Sequence, residues 1–98
     1  MNINAIALSA LNAFEKKLAV TANNIANMNT EDFKPSEAAM HDNANQGVYV
    51  TLSQSPTAEV DLAKEMVSLM MAKQGIEANL KTIKTGDEIN KSLLDIIV

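Results

Sequence analysis

The sequence predicts an all-α fold: two long antiparallel amphipathic helices in a coiled-coil-like hairpin, joined by a mostly irregular segment with at most a short β strand or hairpin. Three observations predict it. Residues 60–98 contain no proline and only two glycines, Gly75 and Gly86. Within them Leu62, Leu69, Ile76, Ile83 and Ile97 recur at seven-residue spacing, with Asn90 breaking the row. A sustained heptad keeps one face of a long helix against a partner helix. Near the other end, Leu11, Leu18 and Ile25 also lie seven apart, which supplies that partner.

The first helix is expected over residues 4–27, with Asn2 or Asn4 as its N-cap. Ala7, Phe14, Thr21 and Ala22 flank its apolar row and widen it to one stripe. Asn12, Lys16, Asn23 and Asn27 fall on the other side. They read as a solvated face or, more sharply, as asparagines that bond a neighbouring subunit. The helix should stop near residues 27–30, because asparagine tolerates the left-handed conformation of helix ends. Pro35 then disfavours helix at Lys34.

Residues 28–60 form the connecting segment. Residues 36–40 are compatible with a helical turn, and 43–47 read as turn or loop. Residues 48–52, Val-Tyr-Val-Thr-Leu, are a short β-prone run. A lone strand leaves its edges unsatisfied. This run can pair within the segment, pair with a second copy, or lie extended along the helices. Residues 53–57 read as a polar linker.

The second helix is expected over residues 61–97, with Asp61 as N-cap. At about 1.5 Å per residue the stretch from residue 60 onward spans roughly 55 Å, longer than the first helix can cover. Its second seam is read as Met66, Lys73, Leu80, Asp87 and Leu94. Lys73 and Asp87 would then either snorkel to the edge of the interface or fix its register. The proposed helix–helix core is Leu11, Phe14, Leu18 and Ile25 against Leu62, Leu69, Ile76, Leu80 and Ile83. Truncating Leu18 or Leu80 to alanine is expected to destabilise such a core by about 2–5 kcal/mol. Val67, Met71 and Ala78 point away from the heptad row, and Met70 lies between. A helix that is apolar on two sides calls for two partners. Past Gly86 the residues Ile89, Leu93 and Ile97 shift around the axis, and Gly86 permits a bend there.

Composition excludes several function classes. The 98 residues allow one domain and carry a formal net charge of −4. All eight basic residues are lysine; without arginine there is no bidentate fork for phosphate or guanine, so nucleic acid is not an expected partner. Cysteine is absent, which removes disulfides and thiolate chemistry. The N-terminal stretch lacks a basic region and a clean apolar run, so it reads as part of a mature helix, not a cleaved signal. No run of about 18 apolar residues exists to span a membrane. His41 is the single histidine, and no metal-ligand spacing, nucleophile elbow or phosphate loop accompanies it. No cofactor and no catalytic set is expected.

Both ends of the chain carry a resemblance. Residues 7–13, Ala-Leu-Ser-Ala-Leu-Asn-Ala, precede residues 20–30, Val-Thr-Ala-Asn-Asn-Ile-Ala-Asn-Met-Asn-Thr. Residues 60–67, Val-Asp-Leu-Ala-Lys-Glu-Met-Val, precede Glu77-Ala-Asn-Leu-Lys81 and Ser92-Leu-Leu-Asp-Ile96. The first set resembles the signature of the flagellar basal-body rod, hook and hook-associated axial family, an Asn-rich motif that closes the first helix. The second set resembles that family's C-terminal helix. Together they cover about two thirds of the chain. Two departures stand out. The signature usually continues Pro-Gly-Tyr, where this chain has Glu31-Asp32-Phe33. Hook and distal-rod members insert a large β domain, for which this chain leaves only about thirty residues.

The resemblance implies a structural subunit of the bacterial flagellar basal-body rod, exported uncleaved through the flagellar type III apparatus. It implies other axial proteins and copies of itself as partners, a coiled coil of the two terminal helices, and self-assembly into a helical tube. The candidate subunit interface is Asn23, Asn27, Met66, Met70, Met71, Ile89, Leu93 and Ile97. A homo-oligomer is expected of the isolated chain, because the hairpin leaves apolar surface bare. The alternative reading is a soluble helical adaptor or export-chaperone-like module that grips a partner helix through its methionine-rich face.

Overall fold

A computed structural model describes residues 3–44 and 47–97. The order is α1 (Ile3–Ala26), β1 (Ser36–Asn43), β2 (Gly47–Gln54) and α2 (Leu62–Ile97). The two strands form one antiparallel sheet. The expected all-α fold is therefore corrected: of the described residues 64% are helical and 17% strand, a largely helical but mixed fold. Residues 36–40 are not a helical turn, and strand continues into the expected linker as far as Gln54. The physical reason is pairing. Ser-Glu-Ala-Ala-Met has no strong β propensity, but it belongs to a strand paired with β2 in a continuous register from Ser36↔Gln54 to Asn43↔Gly47, with Ala38, Ala39 and Met40 opposite Leu52, Thr51 and Val50 of the β-prone run. Cross-strand neighbours and burial against α1 outweigh local preference.

Three local interactions close the elements. The Asp61 carboxylate accepts the Lys64 N–H at 3.2 Å, and its carbonyl accepts the Glu65 N–H at 2.9 Å, as an N-cap does. Asn4 lies inside α1 and does not cap it; the Asn2 alternative falls outside the described residues. Gly47 has φ +89°, a left-handed conformation that suits glycine, and a Cβ there would run into the Ser9 hydroxyl. That hydroxyl donates to Ile6 O at 2.8 Å and accepts the Val48 N–H at 3.0 Å, seating the turn end of the hairpin near the start of α1.

The helices run antiparallel. Asn4 Nδ2 donates to Asp87 Oδ1 at 3.2 Å, Phe14 stacks over Gly75, and Asn24 Nδ2 donates to Glu65 Oε2 at 3.2 Å. Sequence positions rise along α1 as they fall along α2, so α1 covers α2 from about Glu65 to Asp87. The hairpin packs on α1 alone among the elements, and α1 lies between it and α2. The result is a rod of 63 × 23 × 15 Å. Its buried apolar residues are small ones, Ala7, Ala13, Ala38 and Ala72, with Leu11. Small side chains bring helix axes close together and leave little room for large ones.

Candidate functional site

The helix seam is built from a different second row than the heptad reading expects. Leu69, Ile76 and Ile83 are half-buried, as are Phe14, Leu18 and Ile25, and Leu11 is buried. Leu62 and Leu80 are exposed, Leu80 by 51%. The other inward row of α2 is Glu65, Ala72, Asn79 and Gly86, one position before Met66, Lys73, Leu80 and Asp87. Close approach explains the difference. A Cβ on Gly75 would lie 2.5 Å from the Phe14 ring, and one on Gly86 would collide with Asn4 Oδ1. α1 settles where α2 is small and leaves the larger Met66 and Leu80 outside. Lys73 is exposed and takes no part in the seam, while Asp87 marks its end by accepting from Asn4.

Asn24 is the polar centre that binds three elements together. It is 1% exposed and the largest fully buried side chain. Its Nδ2 donates to Ser36 O at 2.7 Å and to Glu65 Oε2 at 3.2 Å, and its Oδ1 accepts the Ser36 N–H at 3.0 Å. The amide thus mimics a neighbouring strand at the edge of β1 and holds the start of α2 on the same side. Sequence reasoning passed over this residue. Helix periodicity gives no signal for it: at 100° per residue Asn24 falls more than a quarter-turn from Ile25 and the apolar row, and its burial comes from the hairpin.

The remaining asparagines of the motif finish the helix. Asn27 Nδ2 donates to Asn23 O at 2.9 Å and to Asn23 Oδ1 at 3.0 Å, and the Thr30 hydroxyl donates to Asn27 Oδ1 at 3.2 Å. The backbone follows with Thr30 N–H to Asn27 O at 2.9 Å and Phe33 N–H to Thr30 O at 3.2 Å. Asp32 ends this turn at φ 60°, the single positive φ among the described non-glycine residues. It stands where the resembling signature has glycine, and a left-handed aspartate carries strain that glycine lacks. Asp32→Gly is expected to stabilise the fold by up to about 1 kcal/mol, read as a rise in thermal midpoint. An unchanged or lowered midpoint would show that the turn is unstrained.

The proposed interface residues Met66, Met70, Met71, Ile89, Leu93 and Ile97 are all exposed, Met70 by 61% and Ile97 by 78%. They do not form one patch. At 100° per residue Val67 and Met70 lie on the far side of α2 from the seam, with Met66 on one flank and Met71 and Ile89 on the other. Residues 88–97 extend about 15 Å past the start of α1 at 1.5 Å per residue, and no described residue covers them. Helix α2 is continuous through Gly86. Shallow apolar grooves of about 230 and 280 Å³ lie along this stretch and share Thr85 and Ile89.

A cleft of about 340 Å³ opens between α1, the open end of the hairpin and the start of α2. It mixes Lys17 and Lys64 with Glu37, Glu59, Asp61 and Glu65. His41 lies on the outer face of the hairpin, stacked on Tyr49 at 5.0 Å between ring centroids, with Nε2 2.8 Å from the Thr51 hydroxyl. Among the described residues no three His, Cys, Asp or Glu side chains gather as a metal site, and no helix is long and apolar enough to cross a membrane.

Comparison with known families fits this geometry. The family model described as flagella basal body rod protein matches residues 5–34, which are α1 and its asparagine-built end. The model described as flagellar basal body rod FlgEFG protein C-terminal matches residues 57–96, which are α2 and its approach. No curated protein matches the chain significantly. The unmatched middle is the hairpin, so the matched segments are the two helices whose contact organises the fold. The chain is a rod-type member of the flagellar basal-body rod family.

Proposed function

We propose that the chain is a structural subunit of the flagellar basal-body rod that joins other axial subunits through the uncovered length of α2. Family membership carries the structural role and the basal-body location. The finer reading rests on one observation: α1 leaves about 15 Å of α2 and a full-length flank of it without a partner, estimated at 1.5 Å per residue. Ile89, Leu93, Leu94, Ile96 and Ile97 are more than half exposed there, and contiguous apolar surface of this kind marks an interaction site. Neighbouring subunits supply helices of matching length and apolar phase, including further copies of this chain. Export without cleavage belongs to the same reading.

The test is fractionation. Purified basal bodies should contain the chain, and its deletion should abolish or impair motility. Absence from basal bodies, together with a stable soluble complex between the chain and one partner, would replace the rod reading with the adaptor reading.

A further inference from the structure

The hairpin has an edge that the chain itself leaves unused. Ser55 N–H donates to Pro35 O at 2.8 Å, so that pair and every second pair beyond it bond within the hairpin. The residues between them turn their N–H and C=O groups outward. On β2 these are Val48, Val50, Leu52 and Gln54, opposite Asp42, Met40, Ala38 and Ser36. α1 satisfies one residue on each edge: Ser9 takes the Val48 N–H, and Asn24 takes both backbone groups of Ser36. Among the described residues the outward groups of Val50, Leu52 and Gln54 have no partner. The two edges also differ in charge. β1 carries Glu37 and Asp42, whereas residues 47–58 contain no charged side chain. Natural edges are blunted by lysine, proline or a bulge; this one is unbulged from Gly47 to Gln54, β-prone and displays Leu52 at 65% exposure.

We propose that the β2 edge pairs with the β2 edge of a second copy, antiparallel about a two-fold axis through Leu52. Leu52 of each copy then faces Leu52 of the other, and Val50 faces Gln54. This register uses every unpartnered outward residue and no engaged one. One step further would set Val48, already held by Ser9, against Pro56, which has no N–H to give. Ser9 and Pro56 therefore close the pairing on both flanks. A shift that moved the axis to Thr51 would need Val48, and any odd step would set outward groups against inward ones. The second copy is the occupant because the edge is self-complementary: it is uncharged on both sides, and its donors and acceptors match under the two-fold. The pairing is short, so it is weak and shows at high chain concentration. A two-fold contact is not a contact of a helical tube, so the pairing concerns the free chain and does not depend on the rod reading.

The chain has no cysteine, so single cysteines report the contact without background. Leu52→Cys puts two thiols on directly opposed residues, whose Cα atoms in a hydrogen-bonded pair lie about 5.5 Å apart, within disulfide reach. Under mild oxidation at high protein concentration, Leu52→Cys should form disulfide dimer on the order of tenfold faster than Ala58→Cys, because pairing raises the local thiol concentration. Adding Gln54→Pro removes an outward donor and no bond within the hairpin, so the double variant should fall to the Ala58→Cys rate with unchanged circular dichroism. Equal rates for Leu52→Cys and Ala58→Cys would overturn the proposal. So would a faster rate for Thr51→Cys than for Leu52→Cys, or no effect of Gln54→Pro.

Discussion

Asn24→Ala should lower the stability of the fold by about 3 kcal/mol, the largest effect expected of any truncation this small. The loss is not one hydrogen bond. Removing the amide leaves the N–H and C=O of Ser36 without partners beside α1, and a buried polar group left unpaired costs about 1–3 kcal/mol. It also frees Glu65, the residue through which α2 joins the same centre. For a domain of this size the thermal midpoint should fall by roughly 15 °C. Asn24→Asp separates the roles. It keeps the acceptor for the Ser36 N–H but cannot donate to Ser36 O or to Glu65, and it sets a second carboxylate beside the first. It should therefore be destabilising despite being isosteric. Asn23→Ala, on an exposed neighbour, should cost less than about 1 kcal/mol. Equal melting of the Asn24 and Asn23 variants would remove Asn24 from the centre of the fold.

Gly75→Leu should cost about 3 kcal/mol, at the upper end of overpacking penalties, because the space beyond its Cα is filled by the Phe14 ring. Glycine is normally unfavourable inside a helix by about 1 kcal/mol relative to alanine. Here it is retained because it lets α1 come close enough to bury Ala72 completely. Phe14→Ala alone should cost about 2–3 kcal/mol, less than a fully buried phenylalanine, because the ring is half-buried. The two changes together should be far from additive: an isobutyl group on α2 refills the space that the ring vacates on α1. A coupling of about 1–3 kcal/mol in denaturant titrations is expected. Additive losses would mean that Phe14 and Gly75 do not share that space. On the same grounds Leu80→Ala, outside the seam, should now melt close to the parent, whereas Leu18→Ala should not.

The two helices and their family were legible in the sequence because their signals are local and periodic. Leu11, Leu18 and Ile25 on one side and Leu69, Ile76 and Ile83 on the other set the phase of each helix. The second row of the seam was not legible. Area alone favours Met66 and Leu80 over Ala72 and Asn79, and only the close approach of Phe14 to Gly75 reverses that choice. Strand β1 was hidden for a related reason: nothing in Ser-Glu-Ala-Ala-Met is strand-like until Gly47–Gln54 folds back on it and Asn24 completes its outer edge. Asn24 itself reads as one asparagine among several, and its burial follows from the hairpin that sequence periodicity does not show. The exposed end of α2 was visible as a mismatch of lengths, because 36 helical residues face a helix of 24.

The most direct measurement asks whether that exposed end is what assembly uses. Ile89→Lys and Leu93→Lys change residues that are more than half exposed, so each purified variant should keep the parent's circular dichroism and melting temperature. Expressed in place of the parent chain, each should be present in cells but lost from purified basal bodies, with motility reduced accordingly. Recovery of both variants in basal bodies at the parent's level, with normal motility, would contradict assembly through the uncovered length of α2.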